Sequence, residues 1–187
     1  MAIDPDGHLF VSSRFEGAVY RLAEDGTAEV YASDLGIACG LVFASDGTLF
    51  VGDRSGTVFE VSTSGQTRTL ATLPSSVAAF HLALGADGLY VSAPTLSARD
   101  AIYRVSLDGQ VSTVHTGFGR PQGLAFSPDG VLHVVEALAG NSGVYRVVDG
   151  EKPELLVSGT RLVGIAFDGP DLIVCSADTA YRIPRRV

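Results

Sequence analysis

A β-propeller, an all-β ring of four-stranded antiparallel blades, is the fold class this sequence predicts. Three observations carry the prediction. Asp-Gly pairs recur at Asp6-Gly7, Asp46-Gly47, Asp87-Gly88 and Asp129-Gly130, spaced 40, 41 and 42 residues apart. An aromatic–charged–aliphatic triplet recurs at Tyr20-Arg21-Leu22, Phe59-Glu60-Val61, Tyr103-Arg104-Val105, Tyr145-Arg146-Val147 and Tyr181-Arg182-Ile183. Each period divides into four short apolar runs punctuated by turn residues, and a period of ~40–45 residues holding four strands marks a propeller blade. Stacked helix pairs of similar period are excluded, because the turns leave no room for two helices per unit.

The clearest copy spans residues 120–157. Gly123-Leu124-Ala125-Phe126 is the first strand, a, and Ser127-Pro128-Asp129-Gly130 a tight turn. Val131 to Glu136 is strand b, Ala137 to Gly143 a loop, and Val144 to Val148 strand c. Asp149-Gly150 turns the chain into strand d around Leu155 to Val157. Transferring this template gives one domain, residues 1–187, with blades at 1–37, 38–79, 80–121 and 122–162. A partial fifth at 163–187 holds strands a to c, with a degenerate turn at Asp168-Gly169-Pro170-Asp171. Residues 1–7 match the middle of the repeat, so the chain is expected to start inside a strand.

Strand a is continuously apolar (Gly40-Leu41-Val42-Phe43, Gly123-Leu124-Ala125-Phe126, Gly164-Ile165-Ala166-Phe167), as expected of strands buried on both faces. Strand b is apolar and packs between blades. In strand c, alternation sets the charged residue on the opposite face from its two neighbours. Strand d is the polar outer edge, which limits edge-to-edge aggregation.

Composition agrees. The chain is 46% hydrophobic and 18% charged, with 22 glycines, as in a globular protein rich in strands and tight turns. A formal net charge of −8 disfavours nucleic acid and anionic membrane surfaces as partners, since both require a basic face. Many of the carboxylates belong to Asp-Gly turns, where Asp suits the backbone geometry. Cys39 and Cys175 lie in apolar strands and read as buried free thiols.

Gly-Leu-Ala-Phe-Ser-Pro-Asp-Gly followed by an apolar strand and Val-Tyr-Arg-Val resembles the NHL-repeat propellers and the senescence-marker-protein/gluconolactonase family. The resemblance covers the whole chain. It implies a six-bladed ring, of which this chain would hold four and three-quarter blades. An open arc predicts self-association, or a missing blade supplied by another chain, unless the ring closes. The resemblance also implies a divalent metal, such as calcium, held at the channel mouth by Glu, Asn and Asp at the head of strand a. The matching places here are Gln122, Val163, Phe80 and Cys39, with the Glu place at or before Met1. Hard cations need converging oxygen ligands, so neither a metal nor another cofactor is expected.

Antiparallel connectivity puts the short a–b and c–d turns on one face and the longer d–a and b–c loops on the other. Function is expected on the second face, around the central channel. His81 stands where other units have Gly40, Gly123 and Gly164, and it is a candidate general base or ligand contact. Asp53 and Glu136 end strand b facing the same mouth. Glu136 is the second catalytic candidate, while a carboxylate there also suits loop capping. Arg120 and Arg161 precede strand a, and Arg14, Arg54 and Arg99 lie on b–c loops. Such a rim could bind a carboxylate or phosphate, or be balanced by Glu16, Asp53 and Asp100. Ligand contacts are therefore expected from His81, Arg120, Gln122, Asp53 and Arg161. The expected function is recognition of a small molecule or protein through this face. The alternative implied by the resemblance is a hydrolase or lyase with a degenerate metal site.

Overall fold

The computed structural model describes residues 1–95, 97, 99–138 and 141–184. Residues 96, 98, 139 and 140 of the expected b–c loops, and 185–187 of the fifth unit, lie outside the described residues. Blade one comprises β1 (Ala2–Ile3), β2 (Leu9–Ser13), β3 (Ala18–Leu22) and β4 (Ala28–Ala32). Blade two comprises β5 (Ala38–Phe43), β6 (Leu49–Asp53), β7 (Thr57–Val61) and β8 (Thr67–Thr72). Blade three comprises β9 (His81–Gly85), β10 (Gly88–Ser92), β11 (Asp100–Val105) and β12 (Val111–Phe118). Blade four comprises β13 (Pro121–Phe126), β14 (Leu132–Glu136), β15 (Gly143–Val147) and β16 (Glu154–Ser158). Blade five has three strands, β17 (Gly164–Asp168), β18 (Asp171–Cys175) and β19 (Ala180–Ile183). Every blade is an antiparallel meander in chain order. The innermost strands β1, β5, β9, β13 and β17 are neighbours in that sequence around one axis.

The Asp-Gly turns close by the expected chemistry. Gly47 and Gly130 take positive φ (87° and 79°), which an L side chain resists. Their amides donate to Ala44 O and Ser127 O at 3.1 and 2.8 Å. Asp46 Oδ1 accepts Thr48 N at 3.0 Å, the local capping for which Asp is suited.

Four apolar cores lie between successive blades. In blade two, Leu49 pairs with Val61 and Val51 with Phe59, and this face looks back into the core shared with blade one. The alternate residues Phe50 and Val58 look forward into the core shared with blade three. Blades three to five repeat the scheme. The charged residue of the strand-c triplet sits opposite its neighbours, as alternation requires. Arg104 bonds Asp87 at 2.6 Å and Arg182 bonds Asp171 at 2.7 Å. Strand a of blade five departs from the expectation of burial on both faces. Ala166 is exposed and Ile165 and Phe167 only half-buried. Phe167 packs back toward blade four, and Ala166 takes no part in that core.

Candidate functional site at the channel mouth

Strand a meets the axis so closely that its residue types are set by backbone contact. A Cβ on Gly40 would stand 2.4 Å from Phe80 O, and one on Gly123 2.9 Å from Val163 O. Two strand-b serines reinforce the same contacts, Ser12 Oγ donating to Cys39 O at 2.7 Å and Ser92 Oγ to Gln122 O at 2.5 Å. Sequence reading passed over these serines. Their recurrence at one place in strands β2 and β10 is the signal that could have found them.

A cavity of ≈ 400 Å³ occupies the axis, lined from all five blades, with Arg14, Cys39, Phe80, His81, Gly123 and Ile165 among its walls. His81 contributes the only buried side-chain polar atom, among the described residues, that lacks a hydrogen-bond partner: its Nε2. Burial holds the imidazole pKa below its ordinary value, and the neighbouring Gln122 side chain opposes that shift in part. The ring is therefore neutral at pH 7. Arg14 reaches the same mouth and donates from Nη2 to Ala78 O at 3.1 Å.

The other candidates separate from this pair. Gln122 is buried beside His81 and its carbonyl is engaged by Ser92. Asp53 is buried at the end of β6, where it accepts Ile37 N at 2.8 Å and Ser55 N at 3.0 Å, with Ser55 Oγ bonded as well. Glu136 accepts Gly119 N at 3.0 Å, and desolvation pushes its carboxyl pKa up. It borders a different cavity, with Phe118, Asn141, Tyr145 and Leu155. Both carboxylates thus cap the preceding d–a loop, and the geometry does not join Glu136 to His81. Arg120 and Arg161 are exposed, with left-handed backbones (φ 61° each), and neither lines the axial cavity. Arg54 donates to Ser76 O at 3.2 Å. Asp53 and Asp100 spend their oxygens on loop groups, Asp100 on Thr95 N and Oγ1, so the expected balancing of rim arginines by these two is not how they are used.

The places matched to a family metal do not fit a hard cation. Phe80 is fully buried in the core between blades two and three, packed against the strand at Gly52. Cys39 Sγ donates to Ile37 O at 3.2 Å. Gln122 offers one side-chain amide and Val163 none, and among the described residues no carboxylate lines the cavity. Such ions take six to eight oxygens. Asp4, Asp6 and His8 bring ligand atoms together on the opposite, turn-bearing side. There Asp4 already accepts Asp6 N, His8 N and the His8 ring.

The chain has the fold of the gluconolactonase-like propellers. It superposes on a gluconolactonase from Xanthomonas campestris with a TM-score of 0.78 and 19% identity, covering 98% of this chain and 71% of that one. Regucalcin from Agrobacterium tumefaciens, a calcium-binding protein, gives 0.79 and 19%, covering 98% and 69%. Virginiamycin B lyase from Staphylococcus aureus gives 0.72 and 18%, covering 99% and 69%. More than a quarter of each of those chains has no counterpart here. At these identities the likeness is one of fold, and folds of this kind host many activities. No protein-family model matches the sequence, and no curated protein sequence matches it.

Proposed function

We propose that the chain is a recognition module that takes a small polar or anionic ligand at the axial mouth. The observation that carries this reading is His81, a wall residue of a cavity lined from every blade, whose buried Nε2 has no partner among the described residues. A buried polar atom without a partner costs free energy that a ligand hydroxyl or carbonyl would recover. The cavity has the volume of a small-molecule site, roughly 300–1,000 Å³ in general. Arg14 with no lining carboxylate favours an anionic group. A sixth blade, which the family resemblance implies, would complete the cavity wall between Met1 and Ile165.

Calorimetric titration with a panel of sugar acids, sugar lactones and simple carboxylates tests the proposal. His81→Ala is expected to abolish binding, and Arg14→Ala to weaken the acids more than the lactones. Binding indifferent to His81→Ala, or chemical-shift changes confined to the Asp-Gly turns, would overturn it.

The same imidazole supports a second reading, a hydrolase or lyase. One solved relative is a catalytically inactive histidine-to-alanine variant of virginiamycin B lyase with quinupristin. A neutral buried imidazole is suited to accept a proton from substrate near pH 7. Turnover of a lactone or streptogramin that survives chelator and disappears in His81→Ala would support this reading. Ligand binding without turnover would leave recognition.

A further inference from the structure

Glu136 and Asp53 hold the same place, the last residue of strand b, and each caps the preceding d–a loop. Asp53 spends both oxygens locally, Oδ1 on Ile37 N and Ser55 N and Oδ2 on Ser55 Oγ. Glu136 is one methylene longer, and its Oε1 alone makes the cap, accepting Gly119 N at 3.0 Å. Oε2 has no hydrogen-bond partner among the described residues, and no Arg, Lys or His among them is ion-paired with the carboxylate. Yet the residue is only 5% exposed. Taking an unpaired carboxylate out of water costs free energy that a positive partner recovers. Loop capping therefore accounts for one of the two oxygens.

Glu136 is also a wall of a cavity of ≈ 500 Å³ between the outer strands of blades three and four, which shares no lining residue with the axial cavity. Strand β12 brings His115 and Phe118 to it, and blade four brings Tyr145 and Leu155. The three rings form an edge-to-face row, Phe118 standing 5.3 Å from His115 and 5.8 Å from Tyr145. Burial lowers the His115 pKa, so that ring is neutral at pH 7 and offers Glu136 no charge. Lys152, exposed, is the one lysine or arginine among the described lining residues. We propose that this cavity binds an organic ammonium ion, with its charged nitrogen beside Glu136 Oε2 and its alkyl part against Tyr145, His115 and Leu155. The walls select that class. A hard inorganic cation needs several converging oxygens, and one carboxylate lines this cavity among the described residues. An alkylammonium needs a single counter-charge, and aromatic rings attract it as well. An anion would meet Glu136 as a like charge. Desolvation raises the Glu136 pKa with only the Gly119 amide opposing it, and a bound ammonium would favour the charged form and reverse that shift.

The test titrates the 187-residue chain, at constant ionic strength, with choline and with its uncharged isostere 3,3-dimethylbutanol, and reads amide chemical shifts. Choline is expected to move the amides of Gly117, Gly119 and Tyr145 along a saturating curve, and the alcohol to leave them in place. Glu136→Gln keeps an acceptor for Gly119 N and removes the charge, so choline should bind at least about tenfold more weakly. Lys152→Met should bind choline as well as the parent or better, and His81→Ala should bind it unchanged, which separates this site from the axial one. Four results would each overturn the proposal. One is equal shifts with the alcohol, which would reduce the contact to apolar burial and needs no variant to be read. Another is undiminished choline binding in Glu136→Gln. A third is binding lost in Lys152→Met, which would make the lysine the group that reads the ligand. The last is no shift at these amides at about 100 mM choline, where even a millimolar site saturates.

Discussion

His81 couples the channel mouth to pH. In the unfolded chain the ring titrates near 6.5, and in the folded chain burial holds its pKa lower. Above pH 6.5 both states carry a neutral ring, and its full contribution to stability is present. As pH falls below 6.5 the unfolded chain takes up a proton that the folded chain resists, so stability is lost until the folded pKa is passed. Burial shifts His115 and His133 the same way, with the Val131 carbonyl partly opposing the shift at His133. Urea-unfolding free energy is therefore expected to decline between pH 7 and pH 5, and to decline less in His81→Gln. Equal slopes in the two proteins would mean that the imidazole is not desolvated as the geometry describes. The opposite sign belongs to Glu136. Desolvation raises its pKa, so whatever stability its protonated form contributes is lost as pH rises through that value.

Strand a shows how an element can fix residue identity without any chemistry of its own. Gly40→Ala would push a Cβ against a backbone carbonyl of β9's entry, which cannot rotate away. A cost of about 1–3 kcal/mol is expected, the usual range for overpacking. Gly164→Ala meets only Cys175 Cβ at 3.5 Å, ordinary contact, and should be close to neutral. Equilibrium denaturation of the two variants side by side checks the pair, and equal costs would reject the close-approach account. The elements themselves were legible in the sequence because each signal is local: period-two alternation, Asp-Gly turns and the strand-c triplet. The mouth was legible only in part. His81 stood out as a break in a glycine pattern. Asp53 and Glu136 read as mouth carboxylates because their true partners, Ile37 N and Gly119 N, lie 16 and 17 residues back on loops whose approach no local pattern encodes. Arg14 and Arg120 are alike as loop arginines. Which one reaches the axis depends on backbone direction, left-handed at Arg120.

At the scale of the molecule, stability is distributed by neighbours. In repeat architectures each unit contributes an intrinsic term and one term per interface. Blades two, three and four each share two apolar cores, while blades one and five share one each. Among the described residues blade five has three strands, and blade one begins with a two-residue β1. The ends should therefore open before the middle. Native-state amide exchange is expected to be slowest in β6, β10 and β14, and at least about tenfold faster in β2 and β18, since local opening needs less free energy where an interface is missing. Destabilisation by Gly40→Ala, which strains the contact of β5 with the entry of β9, should then speed exchange in blades two and three more than in blade five. Uniform exchange from β2 to β18 would instead mean that the arc unfolds as one cooperative body. In that case the more exposed faces of the end blades cost it little.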